Sequence, residues 1–302
     1  MEKIGGLFAK PVERHIEEVI KVTQDDEKAL ATEMEEYVAT ESIRDRYAEV
    51  YKEIAEGPSS PREGIGIWIS GFFGSGKSSF AKILGYTAAN RRIGDSCASD
   101  LFKKTANDRR ISDLLDSINL RVPFESVIFD VSMDAGRAGN ERLTEILYKA
   151  LLKALDYAVD FDAAELEIAL EGDGRLERFE RLFEETMGKP WRVRRQTGLA
   201  LNEASVVLNM LDPRTFPAPD SWVAGVGAGR ADIDPNRLAA RAFELASRRR
   251  KGKALLFVVD EVGQFVSRSV EKMLDLQAIV QAFGVEGRNR TERRQAVSPF
   301  WI

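Results

Sequence analysis

Residues 71–78 read Gly-Phe-Phe-Gly-Ser-Gly-Lys-Ser, the spacing GxxxxGK[ST]. Each residue type answers a need of a bound phosphate. Glycines let the backbone turn and aim successive N–H groups at a β-phosphate without a Cβ in the way. A helix starting behind the loop adds unpaired amides and the positive end of its dipole. Lys77 supplies charge to the β- and γ-oxygens, and Ser78 Oγ is placed to ligate Mg²⁺. The expected binding set is Gly71, Phe72, Phe73, Gly74, Ser75, Gly76, Lys77, Ser78 and Ser79, with ATP and Mg²⁺ as ligands. Phe72 and Phe73 leave two readings open: stacking on a nucleotide, or packing against the following helix.

Such a loop, the Walker A element, needs an acid at the end of a neighbouring strand. The run Ala254-Leu255-Leu256-Phe257-Val258-Val259 ends in Asp260-Glu261 and has that form. Asp260 is expected to hold Mg²⁺ through water, and Glu261 to orient and polarise the attacking water. The C-terminal ends of parallel strands are where α/β sheets bind ligands. A further strand, 126–131, lies between the two motifs in sequence. An extra strand between the Walker strands, with Glu after the Walker B Asp, marks the additional-strand ATPases. The sequence contains no [NT]-K-x-D motif for guanine, which argues against a GTPase. The wide separation of Lys77 from Asp260, and Glu261 itself, disfavour a small-molecule kinase.

Alternating elements must position these groups. Residues 24–56 contain no Gly or Pro, and their apolar residues recur at helical steps, as one helix or as two with a break near Ala39-Thr40. Thr23 and Asp26 resemble a capping box. Gly57-Pro58-Ser59-Ser60-Pro61 reads as a linker. A buried parallel strand is expected over 66–70, a helix over 78–90 and helices over 141–187. An exposed loop is expected over 213–229, a helix over 236–250 and another over 271–283. The fold class is therefore α/β: a P-loop NTPase parallel sheet of the additional-strand, AAA-like type with a helical N-terminal extension. The N-terminal helices are read as covering the α/β body, with partner binding as the alternative. The expected divisions are 1–60 (helical region and linker), 61–283 (ATPase core with a helical insertion at about 141–250) and 284–302 (basic tail).

Composition closes off other classes. Of 302 residues, 44% are hydrophobic and 31% charged, so the chain has material for a substantial core and is not disordered as a whole. No apolar stretch is long enough to span a bilayer, and the N-terminus lacks the apolar run of a secretion signal. One cysteine, Cys97, forbids an internal disulfide, and one histidine, His15, leaves a Cys/His zinc site without ligands. A cytoplasmic protein is expected. The net charge of -5 argues against a nucleic-acid surface throughout. The run Arg248-Arg249-Arg250-Lys251-Gly252-Lys253 is read as a solvated helix end, with a local basic groove as the alternative.

Five strings occur in order: Leu7–Lys10, Val19–Val22, Glu36–Thr40, Trp68–Ser78 (WISGFFGSGKS) and Val259–Phe265 (VDEVGQF). Together they resemble the BrxC-type P-loop protein of BREX bacteriophage-exclusion systems, over roughly residues 4–283 and thinly between 95 and 250. The resemblance implies a large ATPase of bacterial anti-phage defence that self-associates and acts with a DNA methyltransferase and other BREX components. Direct DNA contact stays open, and no membrane partner is implied.

Members of that family are several times longer. After Walker B, a helix and then an apolar strand ending in a sensor residue are expected. Here the helix is followed by GVEGRNRTERRQAVSPFWI, read as a tail with no apolar strand and with Arg288, Arg290, Arg293 and Arg294. The expectation is a truncated product or a change of reading frame near Gly284, with a genuine disordered tail as the alternative. Without a sensor strand or arginine finger, the chain could bind ATP and hydrolyse it poorly. Arg237 and Arg241 are finger candidates, with ordinary helix-surface charges as the competing reading. Two alternatives to an active ATPase stand: a nucleotide-holding scaffold without turnover, and the kinase.

Overall fold

The computed structural model of the protein describes residues 26–72, 74–134, 141–226, 233–267 and 269–302. Thr23, His15, Phe73 and the first two strings of the family resemblance lie outside them.

Two helices open the described chain, α1 (Glu27–Glu36) and α2 (Glu41–Glu56). Asp26 caps α1 by accepting from Ala29 N at 2.8 Å, and Thr40 caps α2 by accepting from Ile43 N at 3.4 Å. The break therefore falls at residues 37–40, as the sequence allows. After α3 (Lys77–Ala88) come a small antiparallel hairpin, β1 (Arg92–Ile93) with β2 (Ser96–Cys97), and the helices α4 (Ala98–Ala106) and α5 (Arg109–Arg121). Helices α4 and α5 pack on α3, while α1 packs on α4 and α2 on α5. Tyr47 of α2 stacks on Phe80 at 4.0 Å between ring centroids and donates to its carbonyl, and Tyr51 shares a 2.5 Å hydrogen bond with Thr87. The N-terminal helices thus cover the α/β body.

The central sheet is parallel. Strand β3 (Phe124–Asp130) pairs with β4 (Ala254–Asp260) from Phe124↔Ala254 to Asp130↔Asp260. Two short extended segments continue it beyond β4. Trp301 N donates to Leu255 O at 3.0 Å, and Phe257 N to Trp301 O at 2.8 Å. Ile302 N in turn donates to Ile65 O at 3.2 Å, and Ile67 N to Ile302 O at 2.8 Å. The order across the sheet is 124–130, 254–260, 300–302, 65–67, and Phe257, Ile302 and Gly66 stand at one level.

Two expectations are corrected here. The C-terminal stretch is not a tail without a strand. Its helix runs on, and Phe300 and Trp301 are buried between β4 and the 65–67 segment. The reason is tertiary: Phe300 stacks on Phe243 at 3.7 Å, and the backbone of 301–302 completes hydrogen bonds on both sides. The second correction concerns 66–70, expected as a buried strand. It lies at the sheet's outer edge, pairs only through 65–67, and leaves Trp68 61% exposed.

Helices cover both faces. Alternation decides which side chains meet them. Ile128 and Val258 point to α3: a Cβ built on Gly85 would stand 2.8 Å from Val258 Cγ2 and 3.2 Å from Ile128 Cδ1. After β3 come α6 (Val131–Asp134) and α7 (Leu143–Ala154), and α7 packs on β3. An outer helical group follows: α8 (Phe161–Gly172), α9 (Leu176–Met187), α10 (Trp191–Arg194), α11 (Ala200–Leu211) and α12 (Ser221–Val226). Residues 221–226 are thus helical inside the stretch expected as loop, while 227–232 lie outside the described residues. The buried rings of Phe179, Phe183 and Trp191 centre this group. Buried Glu167 accepts from Trp191 Nε1 at 2.6 Å, Ala158 N at 2.8 Å and Arg195 at 2.9 Å.

Helix α13 (Pro235–Arg249) returns the chain to β4, and α14 (Val262–Val266) leads to α15 (Val270–Glu292). Phe283 of α15 meets Phe257 edge-to-face, so α15 lies on the face opposite α3. Nothing in the backbone marks Gly284 as a boundary. Glycine is needed there because a Cβ would fall 2.1 Å from Glu63 O, and Arg288 pairs with Glu63 at 2.6 Å. Among the described residues no helix is long and apolar enough to cross a membrane.

Candidate functional site

The register of the sheet brings the two sequence motifs to one edge. Gly66 is level with Phe257, so the chain reaches Ile69 where β4 reaches Asp260, and the Gly71–Ser78 loop begins just above the strand ends. Val258 and Ile128 face α3, and Asp260 and Asp130 are each two residues further on. By alternation both carboxylates point to the side of the sheet that carries α3.

The loop itself is built by its glycines. Gly74 and Gly76 adopt φ of 76° and 84°, in the left-handed region that side chains rarely enter. A Cβ on either would meet nothing within 4 Å, so that space is open above the loop. Gly71 serves differently: a Cβ there would come 2.6 Å from Ser75 Oγ, so its absence lets the loop close on itself. Ser75 N donates to Phe72 O at 3.1 Å, and Phe80 N to Gly76 O at 2.9 Å, which starts α3 directly behind the loop.

Lys77 folds back over this turn and donates to Gly71 O at 3.2 Å and Phe72 O at 2.9 Å. Its ammonium is thereby held at the start of the loop by two backbone carbonyls. Ser78 is half-buried in the first turn of α3, while Ser79 is buried against the body. Phe72 is 90% exposed, so it is not packed against the following helix.

Across the edge, Asp260 closes β4 and accepts from Glu261 N at 3.0 Å. Glu261 takes a left-handed φ of 57°, an uncommon conformation for glutamate that turns the chain sharply into α14. Asp130 was not among the sequence-derived candidates. It is the residue paired with Asp260 in the strand register, and its Oδ1 accepts from Ser132 N at 2.8 Å and Ser132 Oγ at 2.6 Å. The signal available in sequence was only an apolar strand ending in Asp, and that becomes informative once the two strands are known to be neighbours.

No family model matches the chain, and no solved structure matches it.

Other charged candidates are used elsewhere. Arg241 pairs with Glu165 at 2.7 Å, and Arg237 approaches the same carboxylate at 3.7 Å, so both are surface charges of α13. The basic run is neither a groove nor a freely solvated helix end. Arg249 pairs with Glu171 at 2.6 Å, while Arg250 and Lys253 both hold Glu125 of β3, at 3.2 and 2.7 Å. It ties the outer helices to the sheet.

The residues present fit a nucleotide phosphate with its cation. Among the described residues no group of three or more His, Cys, Asp or Glu side chains is arranged to hold a metal by itself. Mg²⁺ does not demand such a cage: it keeps several waters and binds through one or two carboxylates together with substrate phosphates.

Proposed function

We propose that the chain is the ATP-binding unit of a Mg²⁺-dependent P-loop ATPase with the additional-strand arrangement. The observation that carries this reading is the meeting of the Gly71–Ser78 loop and Asp260 at one edge of a parallel sheet, on the side covered by α3. The strand order supports the additional-strand form, because residues 300–302 stand between the segment leading into the loop and the strand ending in Asp260.

In this reading the loop amides between Gly71 and Ser78 bind the β-phosphate, helped by the N-terminus of α3. Lys77 exchanges its two carbonyl partners for phosphate oxygens. Ser78 Oγ and Asp260 would hold the cation, whose charge would favour phosphoryl transfer. Glu261 orients and polarises water at the strand end. In this reading the loop amides and Lys77 act electrostatically, which is where most catalysis of phosphoryl transfer arises.

The resemblance of the WISGFFGSGKS and VDEVGQF strings extends the proposal to a role in BREX-type phage exclusion. There ATP binding and hydrolysis would drive conformational change among copies of the chain and other BREX components.

A second reading is a nucleotide-binding scaffold without turnover: the finger candidates Arg237 and Arg241 lie against Glu165 of the same chain. The two readings part on a single experiment. ATP binding and phosphate release are measured with and without Mg²⁺ for the wild type, Lys77→Ala and Glu261→Gln. An ATPase shows release that Glu261→Gln abolishes; a scaffold shows binding alone. Nucleotide affinity unchanged in Lys77→Ala would remove the loop from the site.

A further inference from the structure

The register between β3 and β4 places a second carboxylate where the nucleotide reading uses only one. Asp130 and Asp260 are paired residues of adjacent parallel strands, about 5 Å apart in backbone spacing. Paired residues of a parallel sheet project to the same face. That face is identified by Ile128 and Val258, which crowd Gly85 of α3 two residues earlier on each strand. Both acids therefore extend from the strand ends toward the side where α3 starts, and Lys77 and Ser78 form its first turn.

Asp130 is also held still. Ser132 occupies Oδ1 through both its amide and its hydroxyl, which leaves Oδ2 without a described partner.

We propose that Asp130 is a further residue of the nucleotide site, holding the water shell of the Mg²⁺ ion together with Asp260. This rests on the nucleotide reading above. Mg²⁺ retains several waters, so a second acid acting through water fits its chemistry better than direct ligation.

The test uses the full chain and Asp130→Asn, which keeps an oxygen for Ser132 and removes the charge. Affinity for ATP is titrated calorimetrically across Mg²⁺ concentrations and without the ion, and Mn²⁺ binding in the presence of ADP is followed by electron paramagnetic resonance. Asp113→Asn, on an exposed face of α5, controls for overall charge. The expected result is that Asp130→Asn needs about tenfold more Mg²⁺, the scale of losing an outer-shell partner, with metal-free nucleotide affinity unchanged. Asp130→Glu, which keeps the charge, recovers part of the loss.

An unaltered Mg²⁺ requirement in Asp130→Asn overturns the proposal, because the residue is then a turn cap alone. Equal weakening with and without Mg²⁺ also overturns it, since the effect would then come from the fold. A wild type that binds no ATP at any Mg²⁺ concentration defeats the nucleotide reading itself, which separates that failure from the first two.

Discussion

Lys82, in the second turn of α3, is buried to 2% exposure and paired at 2.8 Å with Glu33 of α1. The pair joins the N-terminal helices to the helix that begins at the candidate phosphate loop. Removing Glu33 takes a charge-assisted hydrogen bond from a buried ammonium, a loss of about 1.5–3 kcal/mol. Glu33→Ala is therefore expected to lower unfolding stability by that order in urea titrations. Glu33→Leu combined with Lys82→Met should recover most of the loss. A Glu33→Ala loss below about 0.5 kcal/mol would show that the pair is solvated and does not tie α1 to α3.

Two helix glycines should respond differently to alanine. At Gly85 the added methyl meets the ends of Val258 and Ile128 side chains, which have room to adjust. Overpacking of about 1–3 kcal/mol is there partly offset by alanine's better helix propensity. At Gly284 the methyl meets the carbonyl of Glu63 at 2.1 Å, and backbone yields far less easily. Thermal melts should rank Gly284→Ala as clearly the more damaging. Equal effects would mean that α15 does not approach the 63–67 segment as closely as described.

The C-terminal strand is expected to be integral to the fold. Phe300→Ala removes a buried ring stacked on Phe243, a loss of about 3–5 kcal/mol by the usual cost of such cavities. Val297→Ala, at an exposed position three residues earlier, should change stability by less than about 0.5 kcal/mol. Comparable small effects at both positions would return the segment to the status of a loose tail.

Glu125 provides a pH signature. Burial raises its carboxyl pKa, but Lys253 and Arg250 outweigh that and hold it below the ordinary value. A group depressed in the folded state contributes stability above its unfolded pKa, about 4.3, and loses it as pH falls through the folded value. The stability gap between wild type and Glu125→Gln should be about 1 kcal/mol near pH 6 and close toward pH 3. A gap that widens on acidification would contradict the ion-pair assignment.

What could be read from the chain alone was local. The loop residues 71–78 announce themselves because a phosphate cradle needs glycines, lysine and hydroxyl at fixed short spacing. Strand β4 and helix α13 were legible because their apolar periods are strong and their boundaries carry Asp and Pro. Helix α15 was legible only to Phe283, since Gly284 and Gly287 look like breakers until their close neighbours, Glu63 and Pro299, are known. The strand role of Phe300–Ile302 could not be read at all. Three residues have no period, and their extended pairing is imposed by β4 on one side and 65–67 on the other. Asp130 was hidden for the same reason. A strand-end acid gains meaning from its neighbour across the sheet, and register is set by packing between residues more than a hundred positions apart. The sequence by itself thus determined which residues form the glycine-rich loop and the acidic strand end on which the proposal rests, and only the tertiary structure decided which of them share an edge.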